Sequence, residues 1–174
     1  MDIVRRNALR IDQLITELLH TSRPLEMEMI PGSINEVLSD SIAQVQDRCE
    51  LRKVKCIKSL DPGLGNIPMD KATLTIAFTN LLVNAVEAIE EGIGELSVRS
   101  RRVKNRIQVT VNDNGKGMSA EDREHIFEPF FSGRKGGMGL GLTEARNIFN
   151  AHGVLLTVES ELGKGTTFVL LFPV

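Results

Sequence analysis

Asp113 closes an alternating run and opens a glycine turn. Ile107, Val109 and Val111 alternate with Arg106, Gln108, Thr110 and Asn112, the period-two pattern of a half-buried strand, and Asp113 falls on the parity of the apolar three. Its carboxylate therefore points toward the interior. A buried carboxylate without donors is strongly disfavoured or neutralises itself. Gly115 and Gly117 follow, two apart, with Lys116 between them and Met118 after them. Glycine lets a backbone turn sharply and lie against a ligand. A buried acceptor at the mouth of such a turn suits a flat group that carries donors, such as the amino edge of adenine.

Two further clusters have chemistry in them. Asn80, Asn84, Glu87 and Glu91 are spaced four, three and four, one stripe along the edge of an apolar helix face. Asparagine is a poor helix former, so two of them one turn apart need a reason. Their amide oxygens are ligands of the kind that Mg²⁺ takes, with phosphates and waters completing its shell. Further on, Gly133, Gly136, Gly137, Gly139 and Gly141 place five glycines in nine residues, with Arg134, Lys135 and Met138 among them. Such a stretch is costly in entropy to hold rigid, and it suits a lid that orders on a ligand. A helix is expected to start near Leu140, with Leu142 in its first turn. A glycine turn running into a helix N-terminus is an anion site, since free amides and the helix dipole both favour phosphate.

The elements that must position these residues follow from periodicity. Val4, Ala8, Ile11, Ile15 and Leu18 form an a/d seam over residues 2–21, a helix too short to stand alone. Ser22-Arg23-Pro24 ends it, which puts the linker at 21–24 and a domain boundary at 24/25. Leu25, Met27 and Met29 alternate as a short strand. Ser33 with Glu36 has the form of a capping box before a helix carrying Val37, Leu38, Ile42, Val45 and Cys49. A strand at Val54 and Cys56 ends at Asp61-Pro62-Gly63. Asp70 is the expected N-cap of a helix over 70–90, with Pro68 leading into it. Leu74, Ala77, Phe78, Leu81, Leu82 and Ala85 supply its buried face. Strands over 94–101 and 105–113 are joined by the basic stretch Arg101–Asn105, expected to be an exposed hairpin loop. Ser119 opens a short helix with Glu121 and Asp122. His152-Gly153 stops the last helix, and strands over 154–160 and 166–172 finish the chain.

Composition narrows the function. The 174 residues, 41% hydrophobic and 25% charged, describe an ordinary globular chain of one domain with a short appendage. The net charge of −2 gives no bulk attraction to nucleic acid or membrane, and the absence of Trp and Tyr argues against stacking platforms for single strands. No apolar run approaches the length of a membrane span. Cys49 and Cys56 read as reduced, buried thiols, which points to the cytosol. No P-loop, dinucleotide fingerprint, zinc spacing or G-x-S-x-G is present.

Four stretches, in order and at fitting spacing, resemble the sensor histidine kinases and their GHKL ATP-binding domain. Asn80-Leu81-Leu82-Val83-Asn84-Ala85 is similar to the N box, and Asp113-Asn114-Gly115-Lys116-Gly117 to the first glycine box. Phe127-Glu128-Pro129-Phe130 is similar to the F box, and Gly137-Met138-Gly139-Leu140-Gly141-Leu142 to the second glycine box. Gly163-Lys164-Gly165-Thr166 matches a further glycine turn, with Thr167 on the strand after it. The resemblance covers 25–174 and is nearest the nitrogen-sensor branch. Residues 1–24 resemble the end of the dimerisation and phosphoacceptor hairpin.

The resemblance implies an α/β, two-layer sandwich: three helices on one face of a mixed, mostly antiparallel sheet, preceded by one helix. It implies ATP and Mg²⁺ as cofactors. Asp113 would accept from the adenine amino group, Asn84 would hold Mg²⁺, and Asn80 would sit near the phosphates. Gly137, Gly139 and Gly141 would present backbone amides to them. Phe127 and Phe130 would anchor the lid. Glu87 departs from relatives that carry a basic residue there, and Lys116, Arg134 or Lys135 would supply the charge instead. Implied partners are a second copy through the N-terminal helix and a response-regulator receiver domain. Implied location is the cytoplasm, with a parent protein that a membrane anchor could tether.

Of the three histidines, His20, His125 and His152, none is followed by the acidic residue of the family's phosphoacceptor. The acceptor helix is therefore expected outside this chain. A self-sufficient GHKL ATPase would place a glutamate where Asn80 stands, and an amide cannot take a proton. An anti-sigma serine kinase would not carry the helix over 2–21.

Overall fold

The computed structural model describes residues 27–90, 94–132 and 138–174. The helix over 2–21, the linker, the start of the 25–29 strand, Glu91 and the stretch 133–137 lie outside the described residues. The chain order is β1 (Ile30–Gly32), α1 (Ile34–Leu51), β2 (Lys55–Leu60), β3 (Ile67–Met69), α2 (Lys71–Ala88), β4 (Glu95–Val103), β5 (Arg106–Asp113), α3 (Ala120–His125), α4 (Gly141–Ala151), β6 (Leu155–Glu161) and β7 (Gly165–Pro173).

Five strands form one sheet in the order β2-β4-β5-β7-β6. Only β2 and β4 run parallel, and the other neighbours are antiparallel. Register places Val98 opposite Val111, Val111 opposite Phe168, and Val109 opposite Leu170, so one face of the three central strands is mostly apolar, interrupted by Ser100 and by the Asp113–Thr166 pair. The helices α1, α2 and α4 cover that face, and their buried residues join it in a single core. Phe78 of α2 ties the layers together. Its ring meets Phe149 of α4 edge-on at 5.1 Å and stacks on Phe172 of β7 at 6.1 Å. The expected three-helix, mostly antiparallel sandwich is what the chain adopts, with α3 as a short addition outside the helix layer.

Local details depart from the periodicity reading. No strand forms at Met27 and Met29. The strand is β1, which pairs with β3 through Pro31 opposite Pro68. Proline cannot donate to a ladder, which keeps this two-stranded piece short. Ser33 makes no side-chain cap: the Glu36 amide donates to the Ser33 carbonyl at 3.2 Å, and the Glu36 carboxylate turns to Lys71 of α2 at 3.3 Å. The basic stretch at Arg101–Asn105 is not a loop. Strand β4 runs through Val103, and the turn is only Lys104 and Asn105, with Lys104 at φ 53°. Arg101 donates to Gln108 Oε1 at 3.0 Å and Arg102 to the Leu64 carbonyl at 2.6 Å. Cys49 is buried, as expected, but Cys56 is exposed on β2.

Asp70 caps α2 as the sequence indicates, accepting from the Thr73 amide at 3.0 Å. The same residue joins α2 to α4. Its own backbone N–H donates to His152 Nε2 at 3.1 Å, so Nδ1 is the protonated nitrogen and donates to the Ile148 carbonyl at 2.8 Å. Both ring nitrogens of this buried histidine are thus committed. Replacing His152 by Ala leaves the Asp70 N–H unpaired and is expected to cost about 1–3 kcal/mol of stability, read from urea unfolding. A loss below a few tenths would show that this link holds nothing.

Candidate functional site

The C-terminal end of α2, the end of β5, the turn after it and the start of α4 enclose a cavity of about 480 Å³. Its floor is Asp113, 2% exposed. The carboxylate accepts the Gly115 amide at 2.9 Å and a second backbone amide from Thr166, its register partner on β7. Burial nevertheless dominates. It raises the pKa to about 6, and the two backbone amides offset only part of the rise.

The turn after Asp113 is fixed by close backbone packing. A Cβ on Gly115 would come within 2.5 Å of the Ala88 carbonyl oxygen, and the Lys116 amide donates to that same carbonyl at 2.9 Å. Gly117, at φ +64°, leaves no room for a Cβ against the Glu161 carbonyl. The Gly163 amide donates to the Lys116 carbonyl at 2.8 Å, and the Met118 amide to Ser160 Oγ at 2.9 Å. Gly165 lies against the backbone of Asp113 itself. These glycines are demanded first by the protein's own backbone.

One wall comes from α2. Asn84 Nδ2 donates to the Asn80 carbonyl at 2.8 Å, and Asn80 Nδ2 donates to Glu144 Oε2 of α4 at 3.0 Å. Glu87 lines the same wall and pairs with Arg48 of α1 at 3.4 Å. The opposite rim is the start of α4, whose N-cap Leu140 supplies no side-chain cap. Gly139, at φ +70°, is held against Phe131. Gly141 differs, since a Cβ there would make only ordinary contact with Asn80 at 3.5 Å. Packing does not require glycine at 141.

Asn80, Asn84, Asp113, Gly117, Met118, Gly139, Leu140, Gly141 and Leu142 all line the cavity, as do Lys116 and Met138. Gly115 lies just behind it. Lys135 and Gly137 fall outside the described residues. Two expectations are displaced by one residue. Thr166, not Thr167, faces the cavity, because Thr166 shares the inward parity of Asp113 while Thr167 takes Asn112 Nδ2 at 2.7 Å. Phe131, not Phe130, lines it. Phe130 is 53% exposed at φ +66°, whereas Phe127 packs on the core with the Arg146 guanidinium 5.3 Å above its ring. Glu144 was not singled out by periodicity or spacing. The one signal for it is an acidic residue in the first turn of an expected anion-binding helix. No group of three or more metal-ligating His, Cys, Asp or Glu occurs among the described residues.

Comparison with known proteins agrees with this geometry. Residues 69–174 match the family model described as histidine kinase-, DNA gyrase B- and HSP90-like ATPase. The chain is 36% identical to sensor histidine kinase ZraS of Klebsiella oxytoca, over 99% of this chain and 37% of that protein. It is 31% identical to signal transduction histidine-protein kinase AtoS of Escherichia coli K12, over 100% of this chain and 29% of that one. It thus spans between 29% and 40% of the length of the curated relatives it matches. The catalytic domain of histidine kinase ThkA is 26% identical, with a TM-score of 0.75 over 84% of this chain and 96% of that one. The chain belongs to the histidine kinase-, DNA gyrase B- and HSP90-like ATPase family, and carries the ATP-binding catalytic domain of the histidine-kinase kind.

Proposed function

We propose that this domain transfers the γ-phosphoryl group of ATP to a histidine supplied by a separate helix, as the catalytic half of a two-component sensor kinase. The observation that carries the reading is the buried Asp113 carboxylate at the floor of a cavity whose walls are two amides and an uncapped helix start. Asp113 accepts from the adenine amino group. The bare amides at Gly139, Leu140, Gly141 and Leu142 receive the phosphates. The freedom of residue 141 from packing demands supports that assignment. Lys116, with Lys135 and Gly137 as expected from sequence, contributes at the same end.

Asn84 is the residue proposed to hold Mg²⁺. Its Nδ2 is committed to the Asn80 carbonyl, which makes Oδ1 the end of the amide that a hard cation takes. The bound ion neutralises charge on the phosphates. Asn80 positions this wall. In the transfer, a P–N bond to the acceptor forms as the bond to the β,γ-bridging oxygen breaks, and ADP leaves. His152 is unsuited as an acceptor, since both of its nitrogens are engaged, and neither His125 nor His152 is followed by an acidic residue. A second copy joined through the N-terminal helix and a receiver domain of a response regulator are the proposed partners, with action in the cytoplasm. No helix among the described residues is long and apolar enough to cross a membrane.

The pKa of Asp113 makes a signed prediction. Its folded value, about 6, lies above the ordinary carboxylate value, so the group stabilises the nucleotide-free fold fully below the unfolded pKa. That contribution is lost as pH rises through about 6. Relative to wild type, Asp113→Asn should therefore gain about 1–3 kcal/mol of stability between roughly pH 4 and pH 7. Conversely, wild-type ATP affinity should rise with pH through about 6, since the ionised form is the better acceptor. Asp113→Asn should bind roughly tenfold more weakly near neutrality, with no such rise. Parallel pH curves for the two proteins would remove Asp113 from the adenine site.

Kinase and hydrolase readings separate on the fate of the phosphoryl group. Alone, the chain is expected to bind ATP, turn it over very slowly and leave itself unlabelled. Mixed with a helix bearing the family's acceptor histidine and acidic neighbour, it should give an acid-labile, base-stable product. Asn84→Ala should abolish that product. Brisk hydrolysis by the chain alone, stopped by Asn80→Ala, would favour the stand-alone ATPase instead.

A further inference from the structure

Glu144 occupies the first turn of α4 and lines the cavity. A helical side chain leans toward its own N-terminus, so this carboxylate stands beside the uncapped amides proposed to receive phosphate. It is held there from across the cavity, with Oε2 accepting from Asn80 Nδ2 at 3.0 Å. A triphosphate entering this end meets a fixed negative charge. The other described lining residues do not relieve it: Asp113 and Asp122 are acidic, Glu87 is paired with Arg48, and Lys116 supplies the positive charge.

Holding Asn80 does not require a charge, since a neutral amide oxygen would accept the same hydrogen bond. A carboxylate facing phosphates is favourable when a cation lies between them. Asn84, one turn from Asn80, brings an amide to the same wall, and its nitrogen is committed elsewhere. Two helices thus bring a carboxylate and an amide to the lining of the same cavity. Mg²⁺ is bound in that way, by one or two protein oxygens with phosphates and waters completing the shell.

We propose that Glu144 makes nucleotide binding conditional on the divalent cation, sharing Mg²⁺ with the phosphates and repelling metal-free polyphosphate. The inference rests on the nucleotide reading of this cavity. It assigns a specificity role to a residue outside the four motif stretches.

The test is calorimetry of ATP binding to the whole chain, in excess Mg²⁺ and in EDTA, for wild type, Glu144→Gln and Glu144→Ala. Wild type should lose affinity steeply when the metal is removed. Glu144→Gln keeps an acceptor for Asn80 but no charge, and its Mg²⁺-to-EDTA affinity ratio should be smaller by roughly tenfold or more. Metal-free ATP should bind this variant more tightly than wild type. Glu144→Ala should show the same collapse of the ratio, whatever its effect on Asn80. An unchanged ratio in both variants would overturn the proposal, and so would an equal change in affinity under both conditions. A wild type that binds ATP in neither condition would overturn the nucleotide reading, and this inference with it.

Discussion

Everything about the site follows from keeping one carboxylate out of water. Asp113 sits on the inward face of β5, among residues that are otherwise apolar. Two backbone amides partly compensate its burial, and the pKa still stands at about 6. A fold that kept such a group for packing alone would do better with valine, which would continue the pattern of Val109 and Val111. The acceptor is retained at a cost to the nucleotide-free state. Such costs concentrate where a ligand supplies the missing donors.

The surrounding backbone is arranged to make that burial possible. Gly115 lies against the last carbonyl of α2, Gly117 against the end of β6, and Gly165 against Asp113 itself. Three segments distant in sequence are therefore brought to backbone contact around one side chain. This fixes where α2 ends relative to β5, and so where Asn80 and Asn84 stand relative to the Asp113 carboxylate. At the other end of α2, Asp70 and His152 tie its start to the end of α4. Both helices that wall the cavity are pinned at one end by polar links and along their length by Phe78 and Phe149. A site built on such pinned elements holds its geometry without the ligand.

Much of this was legible in the residues. Parity alone put Asp113 inside, and spacing alone put Asn80 and Asn84 on one edge of a helix, because both periodicities survive in a half-buried element. Register is different, since it is a property of two strands. The facing of Thr166 toward Asp113 emerges only from the pairing of β5 with β7. The exchange of Phe130 for Phe131 has a local origin instead. A positive φ at Phe130 reverses which ring turns inward, and nothing in an apolar cluster announces that. Ser33 and Glu36 show the converse case, a sound local signal that is not used: the Glu36 amide goes to the Ser33 carbonyl and its carboxylate to Lys71. The link from Asn80 to Glu144 spans 64 residues and two helices, and no local pattern encodes it.

That link also bears on which reaction the cavity favours. Water attack on a phosphoryl group needs a base with an available lone pair, placed in line. Residue 80 is an amide, whose oxygen is too weakly basic to take a proton from water. The carboxylate it touches, Glu144, already accepts a hydrogen bond from it, and a cation beside the phosphates would draw on its remaining lone pairs. A carboxylate so engaged is a weak base for water. On the kinase reading proposed above, the cavity positions and neutralises a triphosphate while the nucleophile comes from another helix. A histidine brought by another helix carries its own lone pair, and it needs from this domain only the alignment and charge neutralisation that the pinned helices provide.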